Sequence, residues 1–234
     1  MKSIIYYTDN RIEDPIDFYV KHFIKDARLP IYSASLKRIY FGDNEIIEGE
    51  RGYPTMVKQI ISCLSRSKSK YVFFCEHDVL YHPSHFEFIP PRDDVFYYND
   101  NVWKWKLGGD KLVRHDRMML LSCLSVNREF ALDHFIKRQN EIIKNGWDLD
   151  FKGEPSWARK MGYEPGTKKR KRGGITDDDF ETYSSRIPNI DIRHNKTYTS
   201  PKMKLSDFKH KPKWFEEIKI NEVTWWDLKM LFKL

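Results

Sequence analysis

One stretch decides the fold of this 234-residue chain: Tyr71-Val72-Phe73-Phe74-Cys75-Glu76-His77-Asp78. Its first five residues form an unbroken apolar run, which is typical of a strand that is buried on both faces of a sheet. Two carboxylates and an imidazole follow at once. Open sheets flanked by helices bind ligands beyond the carboxyl ends of their strands, so we expect a site at Glu76, His77 and Asp78.

The segments before this strand predict an α/β sheet. Residues 3–8 and 31–36 are short and apolar, as expected of strands. One helix is predicted to begin at Asp14-Pro15, with Asp14 as its N-cap, and a second to begin at Pro54. The order strand, helix, strand, loop, helix, strand favours a mostly parallel sheet joined by crossover helices.

The segments after Asp78 predict a mixed second half. Asn127 is the expected N-cap of a long helix that ends at Asn145-Gly146, and a short helix is predicted over 155–161. The last residues predict a tail with a terminal helix from about Trp225. Strands or hairpins are predicted over residues 95–98, 103–113, 118–124 and 189–194, the last of which carries His194 at its end.

The composition excludes a disordered chain and leaves several partners open. Hydrophobic residues make up 40% and aromatic residues 15% of the sequence, which is enough for a packed core. The net charge of +7 favours polyanionic partners such as nucleic acid, sugar nucleotides or an anionic lipid surface. A solvated lysine-rich surface accounts for the same charge equally well.

The sequence predicts a soluble cytoplasmic protein. We find no signal-peptide pattern and no apolar run near the roughly 20 residues that span a bilayer. Cys63, Cys75 and Cys123 lack CxxC spacing and lie among apolar residues, so we expect them to be reduced thiols in the core.

Carboxylates at a strand end, in a basic protein, suit a hard divalent cation that bridges the protein to phosphate. Mg²⁺ and Mn²⁺ are held in such sites by one or two carboxylates together with substrate oxygens. A bound cation stabilises the negative charge of a departing diphosphate. Asp78 is the preferred ligand, and Glu76 is either a second ligand or a partner of a ribose.

The acidic triplet Glu76-His77-Asp78 after a buried strand resembles the DXD region of GT-A glycosyltransferases. The run that begins Glu-His-Asp-Val-Leu-Tyr at Glu76 and the late segment Pro188-Asn189-Ile190-Asp191-Ile192-Arg193-His194 are similar to glycosyltransferase-like proteins of bacteria and their phages. The similarity covers roughly residues 1–200. It implies one GT-A-like α/β domain there, with a nucleotide-binding half over 1–100 and an acceptor half over 101–200. The tail, 201–234, is expected to pack on the domain.

The resemblance also implies a donor and a cofactor. The donor is a nucleotide-diphosphate sugar, with a UDP-sugar favoured, and the cofactor is Mn²⁺ or Mg²⁺. By motif match the metal falls on Asp78 and His194, with Glu76 close to the ribose or the metal. Because Glu replaces the first Asp of the triplet, the division of roles between Glu76 and Asp78 stays open. The remaining donor contacts are expected from Asp9, on the base or ribose, and from Arg11 or Arg51, on the diphosphate.

An inverting glycosyltransferase needs a carboxylate that takes the proton of the acceptor hydroxyl. The resemblance places it at the start of a helix after the long helix, where Glu154 is the candidate, with Asp177, Asp178 or Asp179 in reserve. A retaining enzyme does not need this base in the same role. The acceptor is a hydroxyl of a modified nucleic acid or of a glycan.

Two other classes of function stay open. A metal-dependent hydrolase is one, because His82 and His85 have HxxH spacing near His77 and Asp78, although Pro83 interrupts a regular helix there. A noncatalytic nucleic-acid-binding domain built on the basic loop 168–174 is the other. Each site residue also has a structural explanation: Glu154 suits any helix N-terminus, and His194 suits a hydrogen-bonded strand end without a metal.

Overall fold

The computed structural model describes residues 1–12, 14–116, 118–147, 157, 161–162, 164–167, 180–197 and 202–233. In chain order its strands and α-helices are β1 Lys2–Thr8, α1 Ile16–Asp26, β2 Ile31–Ser35, β3 Asp43–Ile46, α2 Tyr53–Arg66, β4 Tyr71–Glu76, β5 Val79–Leu80, β6 Phe96–Asn99, β7 Val102–Lys106, β8 Lys111–His115, β9 Leu124–Asn127, α3 Arg128–Asn145, β10 Phe180–Tyr183, β11 Asn189–Arg193, β12 Phe215–Lys219 and α4 Leu228–Phe232. Short 3₁₀ segments lie at Pro83–Glu87, Leu121–Cys123, Leu205–Asp207 and Ile220–Glu222.

Seven strands form the larger sheet, in the order β10-β6-β9-β4-β1-β2-β3. β1 pairs in parallel with both β2 and β4, β2 with β3, and β6 with β10, whereas β9 is antiparallel to its two neighbours. The predicted α/β class, with a mostly parallel central sheet flanked by helices, is confirmed.

The central strand β4 is buried on both faces, which accounts for its continuous apolar run. Val72 and Phe74 pack toward α2 and α3, while Phe73 and Cys75 pack toward α1 and the smaller sheet. Successive side chains of a strand point to opposite faces, so a run with apolar residues at both parities requires a layer on each side.

Five strands form the smaller sheet, in the order β12-β8-β7-β11-β5. The predicted hairpin is present: β7 and β8 are antiparallel, with Trp105 opposite Leu112. β7 and β11 are parallel, and β5 joins the edge next to β11. Trp226, Leu228 and Phe232, in and just before the terminal helix, belong to the core between this sheet and α1.

Several local predictions need correction. α1 begins at Ile16, Pro15 occupies its N-cap position and no side chain caps it, so the prediction for Asp14 is wrong. The strand predicted over 118–124 is a 3₁₀ turn at Leu121–Cys123 followed by β9. The terminal helix begins only at Leu228, because Asp227 caps it through the Met230 N–H. β3 and β12 were not predicted; both are mainly exposed and lack an apolar alternation.

In the described part of the chain, no helix is long and apolar enough to cross a membrane. Cys63, Cys75 and Cys123 are buried and free of disulfides, as predicted.

Candidate functional site

A cleft of about 320 Å³ opens at the carboxyl edge of the larger sheet, above β1 and β4. β2 and β3 extend the sheet on one side of β1, whereas β4 starts the other side. Ligands of open α/β sheets bind where the strand order reverses in this way. Asp9, just after β1, lines the cleft, and so do Glu76, His77 and Asp78 at the end of β4.

Asp78 and His194 lie close together because the short strands β5 and β11 pair next to them. β5 runs antiparallel to β11, with Val79 opposite Asp191, and the Asp78 carbonyl accepts a 2.8 Å hydrogen bond from the Ile192 N–H. The end of β11 therefore brings His194 to Asp78, with its Nε2 3.8 Å from Oδ2. Both side chains are largely covered, with exposed fractions of 6% for His194 and 12% for Asp78.

The surroundings of Asp78 favour its charged form. Burial by itself raises the pKa of the Asp78 carboxyl, but His194, His77 and Arg193 together lower that pKa below its ordinary value. The distance of 3.8 Å between His194 Nε2 and Asp78 Oδ2 is too long for a hydrogen bond. His194 therefore lowers the pKa of Asp78 by electrostatic attraction across this distance. Asp78 is thus an ionised carboxylate that lines the cleft.

The two ring nitrogens of His194 have different surroundings. Nδ1 accepts a 3.1 Å hydrogen bond from the Lys196 N–H. Nε2 is buried and has no hydrogen-bond partner in the part of the chain that the structure describes. A neutral imidazole whose Nδ1 accepts carries its proton on Nε2. In this arrangement His194 offers an N–H to the site, and binding a metal through Nε2 requires release of the Lys196 contact.

Glu76 has a different environment from Asp78. It shares a strand face with Phe74, and the Tyr7 hydroxyl on the neighbouring strand donates a 2.6 Å hydrogen bond to its Oε1. Burial, followed by the negative charge of Asp78, raises the pKa of the Glu76 carboxyl to about 8. Glu76 is therefore mainly uncharged at neutral pH, and the two carboxyl groups of the triplet differ in charge.

The end of the cleft nearest β2 holds three of the residues predicted to bind the donor. Asp9 and Arg11 form an ion pair, and the Arg51 Nε donates a 3.3 Å hydrogen bond to the Asp9 carbonyl. All three residues line the cleft. The structure brings them together, and their roles toward a nucleotide remain predictions.

The opposite end of the cleft, which we call the inner lobe, is lined by Tyr53, Phe135, Arg138, Trp147 and Glu164. The rings of Tyr53 and Trp147 stack with their centroids 4.1 Å apart and an interplanar angle of 11°. The lobe thus combines an aromatic wall with one basic and one acidic side chain.

Glu164 and Arg138 were not identified from the sequence. Glu164 stands on a tight turn in which its N–H and carbonyl both bond the Thr167 hydroxyl, at 3.0 and 2.7 Å. The Tyr98 hydroxyl donates a 2.7 Å hydrogen bond to the carbonyl of Pro165, the residue after Glu164, and so holds this turn in place. One similarity was present in the sequence: Glu164 is followed by Pro165, as Glu154 is followed by Pro155.

Two predicted catalytic residues, Glu154 and Asp178, lie outside the described residues, as do Asp177, Asp179 and the basic loop 168–174. Their roles remain predictions.

Two histidines of the hydrolase hypothesis, His82 and His85, have structural partners. His82 Nδ1 accepts from the Ser84 N–H at 3.1 Å and so caps the 3₁₀ turn. His85 is fully buried, and its Nδ1 lies 3.0 Å from the Asn99 Nδ2. Among the described residues, no group of three or more His, Cys, Asp or Glu side chains is arranged to hold a metal ion. A cation here would need ligands from its substrate.

No protein-family model and no curated protein matches this sequence. Among the solved structures that are similar to it, three share only 10 or 11% sequence identity with this chain. The bifunctional IspDF of Campylobacter jejuni is 10% identical over 79% of this chain and 50% of its own, with a TM-score of 0.40. The glycosyltransferase GlyE of Streptococcus pneumoniae TIGR4 is 11% identical over 79% of this chain and 46% of its own, with a TM-score of 0.44.

The third structure is a glycosyltransferase involved in the glycosylation of the major capsid of PBCV-1. It is 10% identical over 81% of this chain and 92% of its own, with a TM-score of 0.47. This chain spans about half the length of each of the other two. At these TM-scores the likenesses carry no weight for the activity, which has to be inferred from the residues of the cleft.

Proposed function

We propose that this protein transfers a sugar from a nucleoside diphosphate sugar to an acceptor hydroxyl. The observation that carries the proposal is the ionised Asp78, which lies 3.8 Å from His194 and lines a cleft at the strand-order reversal. Asp78 is ionised there, and Arg11 and Arg51 line the neighbouring end of the cleft. A charged carboxylate next to basic side chains suits a diphosphate that binds together with a divalent cation.

The residues present fit Mn²⁺ or Mg²⁺ in part. Asp78 would hold the cation together with diphosphate oxygens, which agrees with the small number of carboxylates such ions require. The Nε2 of His194 lies 3.8 Å from Asp78 Oδ2 and has no hydrogen-bond partner among the described residues, and it would join the ligands once Nδ1 gives up the Lys196 N–H. When bound, the cation neutralises the charge that develops on the departing diphosphate.

The cleft is long enough for an extended donor. It runs along the sheet edge from Leu36, just after β2, past Asp78, to Pro165, which is bonded to Tyr98 of β6. Five adjacent strands, β2, β1, β4, β9 and β6, span about 19 Å at the usual strand spacing. We place the nucleoside near Asp9, the diphosphate near Asp78 and the sugar in the inner lobe.

In the transfer step the acceptor oxygen bonds to the anomeric carbon of the sugar, and the bond from that carbon to the diphosphate oxygen breaks. The bonding electrons leave with the diphosphate, and the acceptor proton must pass to a base. For an inverting reaction we assign that base to Glu164, because it is fixed on its turn and lines the inner lobe. Glu154, the base predicted from the sequence, remains the alternative for this role.

The acceptor hydroxyl belongs to a glycan or to a modified nucleic acid, and the basic character of the chain suits a polyanionic acceptor. The roles of Glu76 and Asp78 follow from their different charges. Asp78 is the metal ligand, and the mainly uncharged Glu76 is a hydrogen-bonding partner for ribose or sugar hydroxyls.

A thermal-shift screen tests the proposal. A ligand that binds only the native state raises its apparent stability. We expect Mn²⁺ with UDP, UDP-glucose or another nucleoside diphosphate sugar to raise the melting temperature more than Mn²⁺ alone. Stabilisation by Zn²⁺ without nucleotide would favour the hydrolase instead. Binding only to DNA or RNA, with steep salt dependence, would favour a nucleic-acid-binding domain.

A further inference from the structure

Arg138 is a buried cation that borders the inner lobe. Its exposed fraction is 1%, yet it lines the cleft. The guanidinium donates hydrogen bonds to His134 Nε2 at 2.7 Å, to the Tyr53 hydroxyl at 2.7 Å and to the Gly162 carbonyl at 3.0 Å. All three acceptors are uncharged groups. In the described part of the chain no carboxylate lies within ion-pairing distance of Arg138.

Such an arrangement is costly for a residue with a purely structural role. A buried charge is unfavourable unless an opposite charge compensates it. The guanidinium also has five N–H donors, of which these hydrogen bonds use three. Two donors and one positive charge are therefore left for a partner that the described residues do not supply.

The neighbouring helix end adds positive potential to the same lobe. α2 begins at Tyr53, its N-cap Gly52 has no side chain to cap it, and no acidic residue lies in its first turn. The N-terminus of a helix carries a partial positive charge that favours anions. Because Arg138 bonds Tyr53, the guanidinium and this helix end lie on the same side of the lobe.

We propose that Arg138 binds a carboxylate on the donor sugar, so that the donor is a nucleotide-activated uronic acid. The inference rests on the proposed function, which places the sugar of the donor in the inner lobe. The planar fork of a guanidinium matches the two oxygens of a carboxylate, which a neutral sugar lacks. Glu164 lines the same lobe outside ion-pairing distance of Arg138.

The experiment compares UDP-glucuronic acid, UDP-glucose and UDP by calorimetric titration in the presence of Mn²⁺. We expect the wild-type protein to bind UDP-glucuronic acid about tenfold or more tightly than UDP-glucose, as a charged hydrogen bond allows. Arg138→Met should remove this preference and leave UDP binding nearly unchanged, while Arg138→Lys should retain part of it. Lys137→Met, at an exposed position of the same helix, is the matched control and should keep the full preference.

A purely structural Arg138 gives a different pattern. Its loss would weaken all three ligands to the same degree, because Arg138 also ties α2, α3 and Gly162 together. Equal affinity of the wild-type protein for both sugar nucleotides overturns this inference and leaves the proposed function standing, even if Arg138→Met does not fold. Failure of all three ligands to bind contradicts the proposed function, and the inference with it.

Discussion

His194 Nε2 lies 3.8 Å from Asp78 Oδ2, while the other ring nitrogen of His194 accepts the Lys196 N–H. Asp78 itself stands between the last residue of β4, in the larger sheet, and the first residue of β5, in the smaller one. The pair thus joins the two sheets at the cleft. The two side chains differ in how readily they can bind a cation. Asp78 can do so as it stands, whereas His194 first has to give up the hydrogen bond from the Lys196 N–H.

This difference predicts the effect of His194→Gln. The substitution should weaken Mn²⁺-dependent binding of UDP about tenfold, in the range that supporting or secondary ligands contribute. Asp78→Asn should weaken it much further. Calorimetry of both variants measures the difference, with His22→Gln, whose side chain is 55% exposed, as the control. A loss as complete in His194→Gln as in Asp78→Asn would show that His194 is an equal ligand.

Glu164→Gln should slow sugar transfer without weakening donor binding. A general base contributes roughly 10²- to 10⁴-fold to a rate, and the amide cannot take the acceptor proton. Glu154→Gln, prepared alongside, tests the alternative base. The turnover number and the dissociation constant of the donor are to be measured for both variants. Unchanged turnover in Glu164→Gln together with slow turnover in Glu154→Gln would move the base to Glu154.

His85 makes stability depend on pH. Burial lowers the pKa of this histidine to about 3 in the folded state, against about 6.5 when it is unfolded. Tyr81 and Tyr183 are the titratable groups that face its ring. Between these two pKa values only the unfolded state binds the proton, so stability falls as the pH drops from 6.5 toward 3. The contribution is at most about 1.4 kcal/mol per pH unit.

Denaturant unfolding of the wild type and of His85→Gln at pH 7, 6 and 5 measures this effect. The variant should lose less stability on acidification than the wild type, because Gln does not titrate. Identical slopes for the two proteins would mean that His85 is protonated in the folded state.

Asn127→Ala should destabilise the fold by about 1 kcal/mol, the usual cost of losing an N-cap. The Asn127 side chain accepts the N–H groups of Glu129 and Phe130 at 2.9 and 3.2 Å. Asn127→Asp, which keeps an accepting oxygen, is the matched control. Equal melting temperatures for Asn127→Ala and the wild type would contradict a capping role.

The central part of this structure was predictable from sequence. β4 carries its signal in the unbroken run of Tyr71–Glu76, and Asn127 was identified as a cap because Asn at that point precedes a helical pattern. The proximity of Asp78 and His194 was expected from two strand ends and a family resemblance. In each case a strong local pattern coincided with a buried position.

The rest of the site depends on tertiary contacts that leave little trace in the sequence. Arg138 stands in the polar run Lys137-Arg138-Gln139-Asn140, which is typical of a solvent-facing turn of helix, yet it is almost wholly buried. The raised pKa of Glu76 depends on the burial of its carboxyl and on the negative charge of Asp78. β3 was missed because an exposed edge strand needs no apolar alternation.

Titration of UDP into the wild-type protein and Asp78→Asn, each with Mn²⁺ and with excess EDTA, tests the proposed metal site at Asp78. Asp110→Asn, at an exposed aspartate between β7 and β8, serves as the control. We expect tight binding only when both Mn²⁺ and Asp78 are present, with Asp110→Asn equal to the wild type. Binding of UDP that is equally strong in EDTA, or in folded Asp78→Asn, would contradict the proposed metal site.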